Sequence, residues 1–340
     1  MRIAVVGAGA MGSVYAGLLA SAGHELWAVD PWHEHVRAIQ ERGLRVEGAS
    51  GDRVVRIHAT TDPAEVPDAE LVIIATKAMD VGAACESVRI LAGPKAPVLS
   101  IQNGLGAPDI AADRLAEDRV VVGVAGGFGA SIVQPGHVHH HGLELLRLGE
   151  RKGPATARVR AVADIWRAAG FNVQTSDDVD QVIWEKLIFN ASFSGPCAVL
   201  GCTIGEVIAD RPAWTVATRC AQEALDVARA LGVAARVDDV SSYIRDFGLK
   251  IAGARPSVLL DVMAGRRCEI DFINGGVVRT GREIGVATPF NEAITALVKS
   301  REASQRGGVR AVPSSRSLGN ARSADAQSAA TARKARRPFP

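Results

Sequence analysis

Residues 5–13 read VVGAGAMGS, and the fold turns on them. Gly7, Gly9 and Gly12 stand in a G-x-G-x-x-G spacing, with Ala8, Ala10 and Met11 between them, directly after the β-branched run RIAVVGA. The helical stretch MGSVYAGLLASAG follows and is closed by Gly23. In such a loop the first glycine makes a tight turn, the second lets a pyrophosphate approach the backbone, and the third lets helix pack on strand. The first turn of the helix then offers free N–H groups and a positive dipole end to phosphate. The spacing alone is weak, because a merely structural turn can carry it. Its context is stronger: strand before, helix after, and Asp30 ending the second strand HELWAVD, 18 residues beyond Gly12. The expected ligand is a dinucleotide.

A carboxylate at that strand end accepts hydrogen bonds from both ribose hydroxyls of NAD and repels a 2′-phosphate. Asp30 therefore favours NAD. His33, His35 and Arg37 follow closely and are the groups able to offset its charge.

Outward from the loop, the runs ELVIIAT, PVLSIQNG and RVVVGVA alternate with helical segments. That alternation predicts an α/β domain over residues 1–175, a Rossmann-type doubly wound parallel sheet. From Asp177 the texture changes: DDVDQVIWEKLIFNASF, RPAWTVATRCAQEALDVARALG and SVLLDVMAG carry helical spacing, and strand-like runs disappear. An all-helical C-terminal domain is expected over 176–303. Residues 304–340 are rich in Ser, Ala, Arg and Gly and cannot bury enough apolar surface to offset their chain entropy, so a disordered tail is expected there.

The totals bound the class. The chain has 340 residues with 47% hydrophobic, enough for two domains with a buried core. No apolar run approaches the roughly 18 residues that cross a bilayer, and the short, glycine-broken N-terminal run reads as no signal peptide. Five scattered cysteines without a CxxC pair argue against a disulfide framework and fit a reducing cytoplasm. Cys197 reads as a buried filler rather than a nucleophile. The last 40 residues carry nine Lys/Arg against two Asp/Glu, whereas the first 300 carry 30 against 35. The basic character belongs to the tail, read as solvated in preference to a nucleic-acid arm.

Lys77 follows the ELVIIAT run and Asn103 follows PVLSI, which puts both at the carboxyl edge of the sheet, where open α/β folds bind ligands. In WEKLIFNASFS (184–194), Lys186, Asn190 and Ser194 fall at i, i+4 and i+8 of a helix whose other faces are apolar. A buried ammonium loses basicity, which suits a general acid that protonates a carbonyl oxygen. A lysine snorkelling to solvent is the plain alternative.

These segments together resemble the ketopantoate reductases (2-dehydropantoate 2-reductases) over roughly residues 1–300. The likeness rests on GAGAMG, TKAMD (76–80), IQNGLG (101–106), QPGHVHHHG (134–142), WEKLIFNASFSGP (184–196), SVLLDVMAGRRCEIDFINGGVV (257–278) and TPFNEAITALV (288–298). The resemblance implies an NAD(P)H-dependent reductase of 2-dehydropantoate, a small-molecule 2-keto acid, on the pathway to pantothenate, with no metal. It implies Lys186 as general acid and Glu269 as the carboxylate that grips the substrate hydroxyl and orients Lys186. Asn190, Ser194, Ser257 and Asn103 would bind substrate. Gly7 to Gly12, Asp30, Lys77, Asn103 and Glu269 would meet the cofactor, NADP by family habit. Read from the residues, Glu269 is also placed to cap the helix EIDFINGG.

Two departures accompany the likeness. Ser194-Gly195-Pro196 stands where the family commonly has a second asparagine before proline, and Asp30 where NADPH-using members commonly have arginine. They leave another 2-keto acid open as substrate. His137, His139 and His141 would share one face of a strand, a zinc-like set that the resemblance reads as a metal-free hairpin. From a different class comes a non-catalytic dinucleotide sensor with a nucleic-acid-binding tail. A homodimer is compatible with all of these, and no membrane partner is expected.

Overall fold

The computed structural model describes residues 1–127, 129–142 and 145–306. The chain opens with β1 (Arg2–Val6), α1 (Ala10–Ser21), β2 (Glu25–Val29) and α2 (His33–Arg42). Short strands β3 (Leu44–Gly48), β4 (Arg53–Val55) and β5 (His58–Thr60) follow. Next come β6 (Leu71–Ile74), α3 (Val81–Leu91), β7 (Val98–Ser100), α4 (Ala107–Leu115) and β8 (Val120–Gly126). Strands β9 (Gly129–Gln134), β10 (His137–Gly142) and β11 (Leu145–Glu150) lead to α5 (Ala157–Ala168) and β12 (Val173–Ser176). Thereafter the described chain is helical: α6 (Val179–Leu200), α7 (Ile204–Ala209), α8 (Arg211–Ala230), α9 (Val240–Lys250), α10 (Ser257–Met263), α11 (Asn274–Ile284) and α12 (Pro289–Arg306).

The main sheet runs β12-β11-β8-β7-β6-β1-β2-β5. From β5 to β8 every pairing is parallel, and β11 turns antiparallel against β8. Parallel strands are covered on both faces, which is why β1 and β6 are near-continuous apolar runs: Ile3, Ala4, Val5 and Leu71 to Ile74 are all fully buried. Strand order reverses at β1, whose neighbours are β2 and β6. The crevice at the carboxyl ends of β1 and β6 is therefore the topological switch point, where this class of sheet binds its ligand.

A second sheet, β4-β3-β10-β9, lies against α1. Its β9–β10 hairpin carries the HVHHH segment on β10, with Pro135 and Gly136 at the turn. Alternate apolar positions of β3, Leu44 and Val46, enter the core beside α1.

In the helical part, α6 is buried nearly all round, by Trp184, Leu187, Ile188, Ala191 and Phe193 among others. It packs on α8, α10 and α12 and also touches β8 and β11, so it spans from the helical core to the sheet. Asp178 caps it by accepting the Gln181 N–H at 3.0 Å, and Gly201 ends it in the left-handed region. Truncating the fully buried Phe193 to alanine would cost about 3–5 kcal/mol.

One expectation changes at the C-terminus. Residues 304–306, assigned above to the disordered tail, complete α12. Just before them Arg301 donates to the carbonyls of Ala198 and Val199 at 2.6 Å, and the Glu302 carboxylate accepts the Cys268 N–H at 2.7 Å, which ties the last turns down. Residues 307–340 lie outside the described residues.

Candidate active site

The glycine loop follows β1 with Gly7 at φ +94°, and the Gly7 N–H donates to Val29 O at 2.8 Å, pinning the turn to the end of β2. The three glycines differ in what surrounds them. A Cβ on Gly7 would sit 2.6 Å from the Thr76 nitrogen, and one on Gly12 would sit 2.0 Å from Gly7 O. Those two are small because protein presses on them. At Gly9 no protein atom lies within 4 Å of the same position, and Gly9 begins α1 with no side-chain cap. Open space beside uncapped helix N–H groups is what a pyrophosphate requires, so the residues present fit a dinucleotide.

At the end of β2, Asp30 Oδ1 accepts the Trp32 N–H at 2.9 Å, which turns the chain into α2 and leaves Oδ2 for a ribose. Of the three basic neighbours, His35 is turned inward and fully buried. Its Nδ1 accepts the Gly136 N–H at 3.1 Å, which leaves the proton on Nε2, 3.1 Å from Ser13 Oγ. Ser13 in turn donates to Ala8 O at 2.9 Å, bracing the glycine loop from beneath. Burial pulls the His35 imidazole below its ordinary value against the opposing field of Asp30. A neutral ring facing away cannot offset the Asp30 charge.

Lys186, projecting from α6, is half-buried as a residue, but its ammonium is enclosed by protein. Burial pulls it down to about 8, with the Glu269 charge opposing. Its Nζ donates to Asn103 Oδ1 at 2.7 Å. Asn103 is carried to that point by the loop after β7: Leu105 N–H donates to Phe272 O at 2.8 Å, and Gly104 at φ +84° lies so close to Phe272 that a Cβ would meet its carbonyl oxygen at 2.2 Å. The Asn103 amide reaches Glu269 Oε2 at 3.4 Å.

Glu269 is 4% exposed, and its Oε1 accepts the Ala78 N–H at 3.0 Å. The expectation that it caps its own following helix is corrected: α11 begins at Asn274, and residues 269–273 form turns. Its carboxylate instead holds the start of the segment after β6, because that is where an unpartnered N–H faces it. Lys77, in that segment, lies 3.9 Å from Glu269 and makes its short contact, 2.5 Å, with Asp261 on α10. Asp261 was not singled out from sequence. The available signal was a lone carboxylate inside the apolar run SVLLDVMAG, one turn from Ser257.

Asn190 and Lys186 both line a cavity of about 20 Å³ with Gln102, Val122 and Leu187, room for one water. Ser194, a turn further on, is buried and is not among the lining residues. Ser257 is exposed at the start of α10, on the same face as Asp261. Lys77, Asn103, Lys186 and Glu269 are thus brought together, and Asn190 lies beside them. The glycine loop meets them at Thr76, next to Lys77.

The histidines make other contacts. His137 Nε2 lies 3.1 Å and His139 Nδ1 3.5 Å from Glu47, while His141 Nε2 lies 2.9 Å from Ser131 Oγ. Among the described residues no three His, Cys, Asp or Glu side chains converge as metal ligands. Cys197 is buried, and burial pushes its thiol well up. No described helix is long and apolar enough to cross a membrane.

Comparison with known proteins shows the family. Residues 3–153 match the family described as ketopantoate reductase PanE/ApbA, and residues 178–302 match its C-terminal counterpart. A 2-dehydropantoate 2-reductase of Streptococcus pyogenes serotype M3 is 30% identical over 304 residues, 89% of this chain and 98% of that protein. The crystal structure of a PanE/ApbA family ketopantoate reductase from Ralstonia eutropha JMP134 is similar at 35% identity and TM-score 0.83, over 90% of this chain and all of that one. D-mandelate dehydrogenase with NADH and anilino(oxo)acetate is similar at 28% identity and TM-score 0.84, over 90% of this chain and 99% of that one.

Proposed function

Because this chain belongs to the ketopantoate reductase family and is an NAD(P)-dependent oxidoreductase acting on a CH–OH/ketone couple, we propose that it reduces 2-dehydropantoate to (R)-pantoate, a cytoplasmic step toward pantothenate. The observation that carries the reading is the line from Lys186 through Asn103 to Glu269. When bound, the nicotinamide supplies hydride to the carbonyl carbon. Lys186 gives its proton to the carbonyl oxygen as negative charge gathers there, and its lowered basicity makes that transfer feasible near neutral pH. Asn103 aims the ammonium. Glu269 accepts the substrate hydroxyl while holding Asn103 in register. Asn190, Ser194 and Ser257 complete the substrate contacts, Ser257 toward the carboxylate. Asn103 lies between cofactor and substrate, and Lys77 helps hold either of them. Gly7 to Gly12 cradle the pyrophosphate, and Asp30 favours NADH, with His35 turned into the core and His33 and Arg37 the exposed groups able to offset its charge.

The test is the rate of NADH and NADPH oxidation with ketopantoate beside a Lys186→Ala control. Turnover that this substitution cuts by orders of magnitude supports the reading. No turnover with either cofactor removes ketopantoate as the substrate. A second reading, reduction of a different 2-keto acid, is favoured by Ser194 in place of a longer amide and by the likeness to D-mandelate dehydrogenase. Activity on aromatic or branched 2-keto acids in its stead would establish it.

A further inference from the structure

We propose that Asp261 is a positioning residue: its carboxylate holds the Lys77 ammonium away from Glu269, so that Glu269 stays available to Asn103 and through it to Lys186. The proposal rests on the reading of Lys186 as the acid.

Two carboxylates, each 4% exposed, compete for one ammonium. Lys77 Nζ lies 2.5 Å from Asp261 Oδ2 and 3.9 Å from Glu269 Oε2. The other oxygen of Asp261 is occupied: Oδ1 accepts Arg266 Nε at 3.0 Å and Nη2 at 2.8 Å. The other oxygen of Glu269 is occupied as well, by the Ala78 N–H. Oε2 is therefore what Glu269 has left for Asn103, and that contact is long at 3.4 Å. A charge-assisted ammonium bond is about twice as strong as a neutral amide one. Freed from Asp261, Lys77 needs to move little more than 1 Å on a flexible stem to take Oε2. Asn103 then loses its anchor, and the Glu269 charge that supports the protonated form of Lys186 is screened.

Among the described residues, the titratable and charged groups around this pair include Lys186 from α6, Asp261 from α10, Arg266 and Cys268 from the loop after it, and Glu302 from α12, whose carboxylate accepts the Cys268 N–H at 2.7 Å. Burial pushes the Cys268 thiol up to about 11, so it stays neutral through the working range. A plain tie between Lys77 and α10 is the competing account, and it predicts the same effect from Lys77→Met as from Asp261→Asn, since either breaks the contact.

The experiment follows Lys186 directly. The full-length protein is labelled with 13Cε-lysine, the Lys186 resonance is identified by its loss in Lys186→Arg, and it is titrated in Asp261→Asn, Lys77→Met and the double variant. Asp261→Asn is expected to move the Lys186 titration down by about one pH unit, with Asp261→Glu restoring it. Lys77→Met alone is expected to leave it close to the wild-type value, because Glu269 is already free of the ammonium, and adding Asp261→Asn to Lys77→Met to change nothing further. A shift of about one pH unit on Lys77→Met alone overturns the proposal, because Lys77 would then be acting on Glu269 in spite of Asp261, and that holds even if Asp261→Asn fails to fold. An Asp261→Asn shift that persists in the Lys77→Met background overturns it too. Turnover retained by Lys186→Ala would remove the acid role instead, and the titrations would still decide whether Asp261 controls Lys77.

Discussion

Lys186 Nζ and Asn103 Oδ1 meet at 2.7 Å across 83 residues of chain, joining α6 to the loop after β7. The contact separates a site lysine from one that snorkels to solvent. It also sets the ammonium within the field of Glu269, on the segment that precedes α11.

The pH dependence of reduction follows from that enclosure. Lys186 is pulled down to about 8, and a general acid works only while protonated. Keto-acid reduction should therefore hold its rate below about pH 8 and fall about tenfold per pH unit above it. Glu269→Gln keeps an acceptor for Ala78 but removes the charge that favours the ammonium, so the break should move to lower pH. Profiles of kcat/KM from pH 6 to 10 check both, and a break left in place by Glu269→Gln would count against the coupling.

Gly9 and Gly12 should respond oppositely to the same methyl group. Gly12→Ala brings Cβ into Gly7 O and should cost about 2–4 kcal/mol of stability. Gly9→Ala meets no protein atom, so stability should change by less than about 0.5 kcal/mol while cofactor Kd rises tenfold or more. Urea melts and cofactor titration read the two effects separately.

Asp30→Ala should lower kcat/KM with NADH by roughly tenfold to a hundredfold, the value of one or two hydrogen bonds to a charged acceptor. With NADPH it should stay level or rise, because the repulsion is gone. Equal losses with both cofactors would mean that Asp30 acts only through its bond to Trp32.

His35 should make the protein acid-sensitive. Burial holds its folded-state basicity below the unfolded value of about 6.5, so its contribution is complete above that pH and is lost as pH falls beneath it. Protonation at Nδ1 also opposes the Gly136 N–H, at about 1–3 kcal/mol for the orphaned donor. Urea melts at pH 7 and pH 5 should show a drop that His35→Gln narrows. A drop of the same size in both proteins would exclude His35 as its source.

Local pattern made much of this molecule legible. The β-branched runs around GAGAMG, the change of texture at Asp177 and the i, i+4 spacing of Lys186 and Asn190 are short-range signals, and the elements lie where those signals put them. The second sheet was not legible, because its strands β3 and β10 pair in parallel across some ninety residues and nothing in either run names its partner. The direction of His35 was hidden for a related reason: one residue in a helical turn decides between solvent and core, and that depends on the hairpin turn at Gly136 arriving above it.

By itself the sequence determined a glycine loop between strand and helix, a carboxylate ending the second strand, and a lysine within an apolar helix, since each depends only on neighbours along the chain. Tertiary structure alone decided that Glu269 serves the segment after β6 rather than its own helix, and that Lys77 pairs with Asp261. The physical reason is that partners of a buried charge are chosen by distance in space. At 2.5 Å against 3.9 Å, separations set by how α10 packs on α6, one ammonium belongs to one carboxylate and leaves the other to Ala78 and Asn103.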